Sequence, residues 1–211
     1  EDGGSITYTA SLVDASGAAV STHNAISVTL ENGQSITIGA NASSGSTTLA
    51  VNRDDVYRES DALTNKITAV SETNAGQNGA FEKLTFDASA VSTTISDDQD
   101  AVSVKLSATQ STSEDGGSIT YTASLVDAKG DAVSTHNAIS VTLENGQSIT
   151  IGANAASGST TVAVNRDDVY RESDALTTKI TAVSETNAGQ NGAFEKLTFD
   201  ASAVSTTISD D

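Results

Sequence analysis

The sequence predicts an all-β chain: two tandem β-sandwiches of immunoglobulin-like architecture, about seven antiparallel strands each. Three observations carry this. Residues Glu1 to Asp98 and Glu114 to Asp211 align without a gap and differ only at Ser16/Lys129, Ala18/Asp131, Ser43/Ala156, Leu49/Val162 and Asn65/Thr178. Self-similarity at a fixed period marks an array of like units. Within each copy, apolar residues alternate with polar ones at period two, and no window holds helical periodicity for longer than a turn. Turn signals separate the alternating runs at the regular spacing of a sandwich.

Each element follows in order. In SITYTASLV, Ile6, Tyr8, Ala10 and Leu12 alternate with Thr7, Thr9 and Ser11, the pattern of a half-buried strand. In AISVTLENGQSITIG, Ile26, Val28 and Leu30 precede Asn32-Gly33, and Ile36 and Ile38 follow. Asn-Gly between alternating runs signals a hairpin, and the expected turn is type I′, with positive φ at both residues. STTLAVN gives a strand with Leu49 and Val51 inward, and TNKITAVSE one with Ile67 and Ala69 inward. FEKLTFDASAVSTTIS reads as one long last strand through Leu84, Phe86, Val91 and Ile95. DDVYRESDAL, Asp54 to Leu63, reads as a connection with one helical turn.

In the second copy the seven strands are expected at Ala101 to Ala108, Ser118 to Val126, Ala138 to Glu144, Gln147 to Gly152, Thr160 to Asn165, Lys179 to Glu185 and Phe194 to Ser209. The domains are expected at residues 1–98 and 99–211. The counterpart of Ala101 to Ala108 would precede Glu1, so the first domain is expected to lack its first strand, as in a fragment cut from a longer array.

Composition narrows the function. The 211 residues include 28 acidic and 10 basic ones, for a net charge of −18. Such a molecule repels phosphate backbones and anionic membranes, which are bound through Lys/Arg patches. Neither nucleic-acid binding nor direct membrane insertion is expected, since no run of 18 apolar residues occurs and no basic-then-apolar leader is visible. Without cysteine there is no disulfide and no thiolate metal site. Four Tyr, four Phe and no Trp make a sugar-stacking platform a weak reading.

The acidic residues gather. If strands alternate in direction, the first turn, the connection before the sixth strand and the end of the last strand share one pole. In the first copy that pole receives Glu1, Asp2, Asp54, Asp55, Glu59, Asp97 and Asp98. In the second it receives Glu114, Asp115, Asp167, Asp168, Glu172, Asp210 and Asp211, and Asp100 opens the second copy directly after Asp98. Two carboxylates about 4 Å apart repel by roughly 4 kcal/mol near a protein surface, so such convergence calls for a hard cation. Ca²⁺, which takes six to eight oxygen ligands, suits this set better than Mg²⁺. All fifteen acids are therefore candidate calcium ligands. No EF-hand loop and no G-G-x-G-x-D nonapeptide accompanies them.

Catalysis is not expected. His23 and His136 are one position seen twice, beside Asn24 and Asn137, and a lone His amid serines is a loop residue. One His and no Cys per copy falls short of a zinc site, and glycoside chemistry needs a cleft between its carboxylates. The Gly-rich loop Glu72 to Glu82 is expected to form turns at Asn74, Gln77 and Asn78 and to face a neighbouring domain.

EDGGSITYTASLVDA, ISVTLENGQSITIGA, SGSTTLAVNRDDVY and GAFEKLTF, in that order, resemble the immunoglobulin-like extender repeats of giant RTX adhesins, type I-secreted surface and biofilm proteins of Gram-negative bacteria. The resemblance covers both copies. It implies an extracellular location on the bacterial cell surface and many repeats in tandem projecting an adhesive domain. It also implies calcium at the joints, held by the Glu/Asp, Asp-Asp and terminal Asp-Asp positions named above. The expected role is a calcium-stiffened spacer, monomeric, whose partners are neighbouring repeats of the same chain. A sandwich module binding carbohydrate or protein through its loops is the alternative.

Overall fold

The computed structural model describes residues 3–59, 61–97, 99–165 and 173–209, which hold 17 strands and no helix. The chain forms two compact units: Glu1–Asp54 with Ser60–Asp97, and Asp55–Glu59 with Asp98–Asp211.

The first unit contains β1 (Ser5–Ser11), β2 (Ile26–Leu30), β3 (Ser35–Ile38), β4 (Ser44–Ala50), β5 (Asp61–Asn65), β6 (Ile67–Glu72) and β7 (Val91–Ile95). They form sheets β1-β4, β3-β2-β6 and β5-β7, with antiparallel pairing throughout. Ile6, Tyr8 and Ala10 of β1 bury against Ile26, Val28 and Leu30 of β2 and Ile36 and Ile38 of β3, so the core is a sandwich of inward-facing alternate residues.

The second unit contains β8 (Ala101–Ala108), β9 (Ser111–Ser113), β10 (Asp115–Val126), β11 (Ile139–Leu143), β12 (Ser148–Ile151), β13 (Ser157–Asn165), β14 (Ser173–Thr178), β15 (Ile180–Glu185), β16 (Lys196–Phe199) and β17 (Val204–Ser209). Its sheets run β13-β10-β8-β16, β12-β11-β15 and β14-β17-β9. Ile119, Tyr121, Ala123 and Leu125 face Ile139, Val141, Ile149 and Ile151 across the core.

Four expectations need correction. The Asn-Gly hairpin is present, but only Gly33 (φ 83°) and Gly146 (φ 83°) adopt positive φ, and Asn32 and Asn145 do not. Gly33 N–H donates to Leu30 O (3.0 Å) and Leu30 N–H to Gln34 O (2.9 Å), giving a three-residue loop that ends on a left-handed glycine. Among the described residues of Asp54 to Leu63 there is no helical turn; Asp61–Asn65 is strand β5, held by pairing with β7. The inward residues of β6 are Ile67 and Val70, not Ala69, because a register shift beside Thr29/Leu30 moves the alternation by one.

The long last strand is two strands in the second unit, β16 and β17, in different sheets. The chain changes sheet at Asp200, whose N–H donates to Val104 O (2.9 Å) and whose carboxylate accepts Ser202 N–H (2.9 Å). In the first unit residues 82–90 form no strand, since β16 depends on parallel pairing with β8 and no described strand of the first unit stands in that place. Accordingly Val13, Phe86 and Val91 are 59%, 42% and 57% exposed, while their counterparts Val126, Phe199 and Val204 are half-buried.

Candidate functional site

Register defines one end of the second unit. Asp115 pairs with Asn165, Ser173 with Ser209, and Ser209 with Ser113, while Glu114 N–H donates to Ser209 O (3.1 Å). The first turn, the end of β13, the start of β14 and the end of β17 therefore meet at one pole. Glu114 is buried there and Asp115 is exposed, its N–H on Ser113 Oγ (3.3 Å).

Of the candidate ligands, Glu1, Asp2, Asp98, Asp167, Asp168, Glu172, Asp210 and Asp211 lie outside the described residues. Asp54 is exposed and Asp97 half-buried in the first unit; Asp55 and Glu59 are exposed and Asp100 half-buried in the second. Among the described residues no three or more His, Cys, Asp or Glu side chains are arranged to hold a metal ion. The described carboxylates alone do not make a calcium cage.

A different cluster is well formed. Asp55–Glu59 lies along the loop at Gly192–Glu195 of the second unit as a short antiparallel strap. Arg58 N–H donates to Ala193 O (2.7 Å), Gly192 N–H to Arg58 O (2.9 Å) and Glu195 N–H to Val56 O (3.2 Å), around an isolated bridge between Tyr57 and Phe194. The Tyr57 ring stacks on His136 with centroids 3.9 Å apart and planes 14° apart. It also stacks on Phe194 at 5.3 Å and 16°. Its hydroxyl donates to Ser134 O, and its N–H donates to Asp55 Oδ1 (2.7 Å).

The platform under Tyr57 is held from behind. Glu185, buried at the end of β15, accepts Phe194 N–H (3.0 Å) and Asn137 Nδ2 (3.3 Å), fixing the two loops together. Glu195, also buried, accepts Asp100 N–H, and its backbone carbonyl accepts Arg58 Nη2 (3.3 Å). Burial pushes the Tyr57 phenol above its ordinary pKa, and the carboxylates of Asp55 and Glu185 push in the same direction. Such a site can hold an aromatic side chain and a backbone segment.

Sequence reasoning gave His136 to a loop and assigned no site role to Tyr57, Phe194, Glu185 or Glu195. One signal was available: an aromatic and an arginine inside an otherwise acidic connection, opposite a loop already expected to face a neighbour. That loop does form turns, with Asn74 and Asn187 at positive φ (both 61°) and Gln77 N–H on Asn74 O (3.1 Å).

Comparison with solved structures finds the crystal structure of CBD12 from CALX1.2 similar at 10% identity and a TM-score of 0.34, over 97% of this chain and 93% of that one. The D0-D1 domain of intimin is similar at 16% identity and a TM-score of 0.26, over 98% and 91%. No curated protein matches the chain. The family described as LapA domain matches twice, over residues 1–98 and 100–211. Those two matches take in nearly the whole sequence, and the chain therefore belongs to the bacterial adhesin-related LapA domain family.

Proposed function

We propose that the chain is a spacer of a bacterial surface adhesin, a pair of extender repeats stiffened by Ca²⁺ at the end of each repeat. One observation carries the spacer reading: Asp55–Glu59, which the repeat assigns to the first copy, folds as part of the second unit. A repeat that lends a segment to its successor's fold suits a chain whose task is to extend and transmit tension, and family membership supports that role. The calcium part rests on the acidic residues of each copy and on the pole at which β10, β13, β14 and β17 begin or end. A hard cation offsets the mutual repulsion of carboxylates there.

A strand of 12 residues such as β10 spans roughly 40 Å, so reach grows with copy number. Small-angle scattering with millimolar calcium and then with chelator tests the reading. The maximum dimension falls, or becomes broadly distributed, when calcium is removed. An unchanged dimension sinks the calcium part, and saturable binding of a glycan to this pair favours a ligand-binding module instead.

A further inference from the structure

We infer that the face of the first unit made by His23, Asn24, Glu72 and Ala80–Glu82 is a docking site for the Asp-Val-Tyr-Arg-Glu segment of a neighbouring LapA-type repeat. The inference rests on the spacer reading and supplies a coupling element that needs no metal. In the second unit the same residue types, at His136, Asn137, Glu185 and 193–195, carry that very sequence as Asp55–Glu59. The sequence recurs at 168–172, so every copy of this repeat brings both the segment and the face.

The first unit's face is preformed. Phe81 N–H donates to Glu72 Oε2 at 3.0 Å, the distance found for Phe194 and Glu185. Asn24 Nδ2 donates to Glu72 Oε1 at 3.4 Å, against 3.3 Å in the second unit. His23 lies over Gly79 as His136 lies over Gly192, each imidazole Nδ1 3.3 Å from where a Cβ would sit. A face that already has the two Glu72 bonds, and lacks only the counterpart of Asn137 Nδ2 to Gly192 O, needs little reorganisation to take the segment, which lowers the cost of binding.

What differs is cover. Ala193, Phe194 and Glu195 are buried, whereas Ala80 and Phe81 are half-buried and Glu82 is exposed. The half-buried edge of Phe81 and the exposed ring of His23 form the two walls between which a tyrosine stacks. The backbone of residues 79–82 offers the same N–H and C=O groups that Val56 and Arg58 engage in the second unit. Recognition is thus strand-like in the backbone and aromatic at one side chain.

The test uses the intact, isotope-labelled chain and the synthetic peptide NRDDVYRES, the sequence of Asn52 to Ser60, titrated to low millimolar concentration. The His23 ring protons and the amides of Gly79 to Glu82 shift saturably, while those of His136 and Gly192 to Glu195 do not. The peptide NRDDVARES binds at least about fivefold more weakly, the loss of one aromatic stack. H23A weakens the parent peptide by a similar factor, and because His23 is exposed its melting temperature is unchanged.

No saturable shift, equal affinity for both peptides, or shifts centred on the edge of β1 overturns the inference. Running the titration in calcium and in chelator separates the two ideas. Docking that persists in chelator, with no calcium effect on chain dimensions, sinks the calcium part alone. Calcium-dependent extension without docking sinks this inference alone.

Discussion

Tyr57 and His136, 79 positions apart in the chain, stack with ring centroids 3.9 Å apart and planes within 14° of parallel. The pair anchors a strap that backbone hydrogen bonds, the Arg58 Nη2 bond to Glu195 O and the packing of Val56 on the core also hold, with Tyr57 supplying the aromatic contacts. Y57A is expected to destabilise the second unit by about 1–2 kcal/mol, from lost apolar cover on Phe194 and the lost stack. Y57F keeps the stack and loses only the hydrogen bond to Ser134 O, costing about 1 kcal/mol or less. Hydrogen exchange at Arg58, Gly192 and Glu195, whose N–H groups make the strap's backbone bonds, reads both variants. Protection that is the same in Y57A as in the parent sinks the assignment.

The same tyrosine makes the strap sensitive to alkali. Its folded pKa is raised, so the neutral phenol is favoured in the folded state. Its contribution is fully present below the ordinary tyrosine value of about 10 and is lost as pH rises through the raised folded value. Phenolate absorbance, taken as the difference between the parent and Y57F, shows one tyrosine ionising late. An ordinary midpoint for that difference contradicts the burial described.

How much was legible in the sequence depended on how local the determinant was. The hairpin at Asn32-Gly33 and the alternation of Ile119, Tyr121, Ala123 and Leu125 are set by neighbours in sequence, and both were readable. β5 was not, because Asp61–Asn65 carries one strong apolar residue, Leu63, and owes its form to hydrogen bonds with β7, about 30 positions on. The break between β16 and β17 was hidden because the alternation runs through it; only the sheet to which each half pairs distinguishes them. Tyr57 was missed for the same reason, since its ring partners His136 and Phe194 belong to the other copy's sequence. The acidic clusters were legible as charge, but which carboxylates meet depends on side chains whose placement strand direction does not fix.

One of the five differences between the copies has a direct energetic consequence. Asn65 is buried, with its Oδ1 accepting Asn32 N–H (3.3 Å) and Lys66 N–H (3.0 Å). Its Nδ2 is buried with no hydrogen-bond partner. Thr178 fills the same place with a hydroxyl that accepts Asn145 N–H (3.3 Å) and brings no second donor. N65T is expected to stabilise the first unit by about 1 kcal/mol, since an unsatisfied buried donor costs about 1–3 kcal/mol. Chemical denaturation checks this, and a loss of stability in N65T contradicts it.

Gly158 is required by space. A Cβ there would run into the carbonyl of Thr150 well inside van der Waals contact, as one at Gly45 would into Thr37 O. Backbone, not a flexible side chain, lies in the way, so β13 must move off β12. G158A is expected to cost about 2–3 kcal/mol, the range of overpacking. G152A, with open space around its Cβ and no positive φ, is the control and should change stability by less than about 0.5 kcal/mol. Thermal melting of the two variants distinguishes a packing requirement from a general dislike of alanine in this region.

Asp54 and Asp55 are candidate calcium ligands that begin the strap's own stretch of sequence, so substituting them one at a time divides the calcium reading from the strap. Extracellular calcium modules bind at about 10⁻⁴–10⁻³ M. A site held at 100 times its Kd gains about 2.7 kcal/mol, which in domains of this size raises Tm by about 10 °C or more. D55N retains an Oδ1 that can accept Tyr57 N–H, so the strap keeps that bond while the charge is gone. D54N removes charge from a residue of the other unit that is exposed. If calcium is held there, both variants lose most of the calcium-induced rise in Tm, while Tm in chelator stays the same or increases because carboxylate repulsion is relieved. A calcium response in D54N and D55N equal to that of the parent removes these two acids from any metal site. A parent chain whose Tm ignores calcium removes the metal altogether.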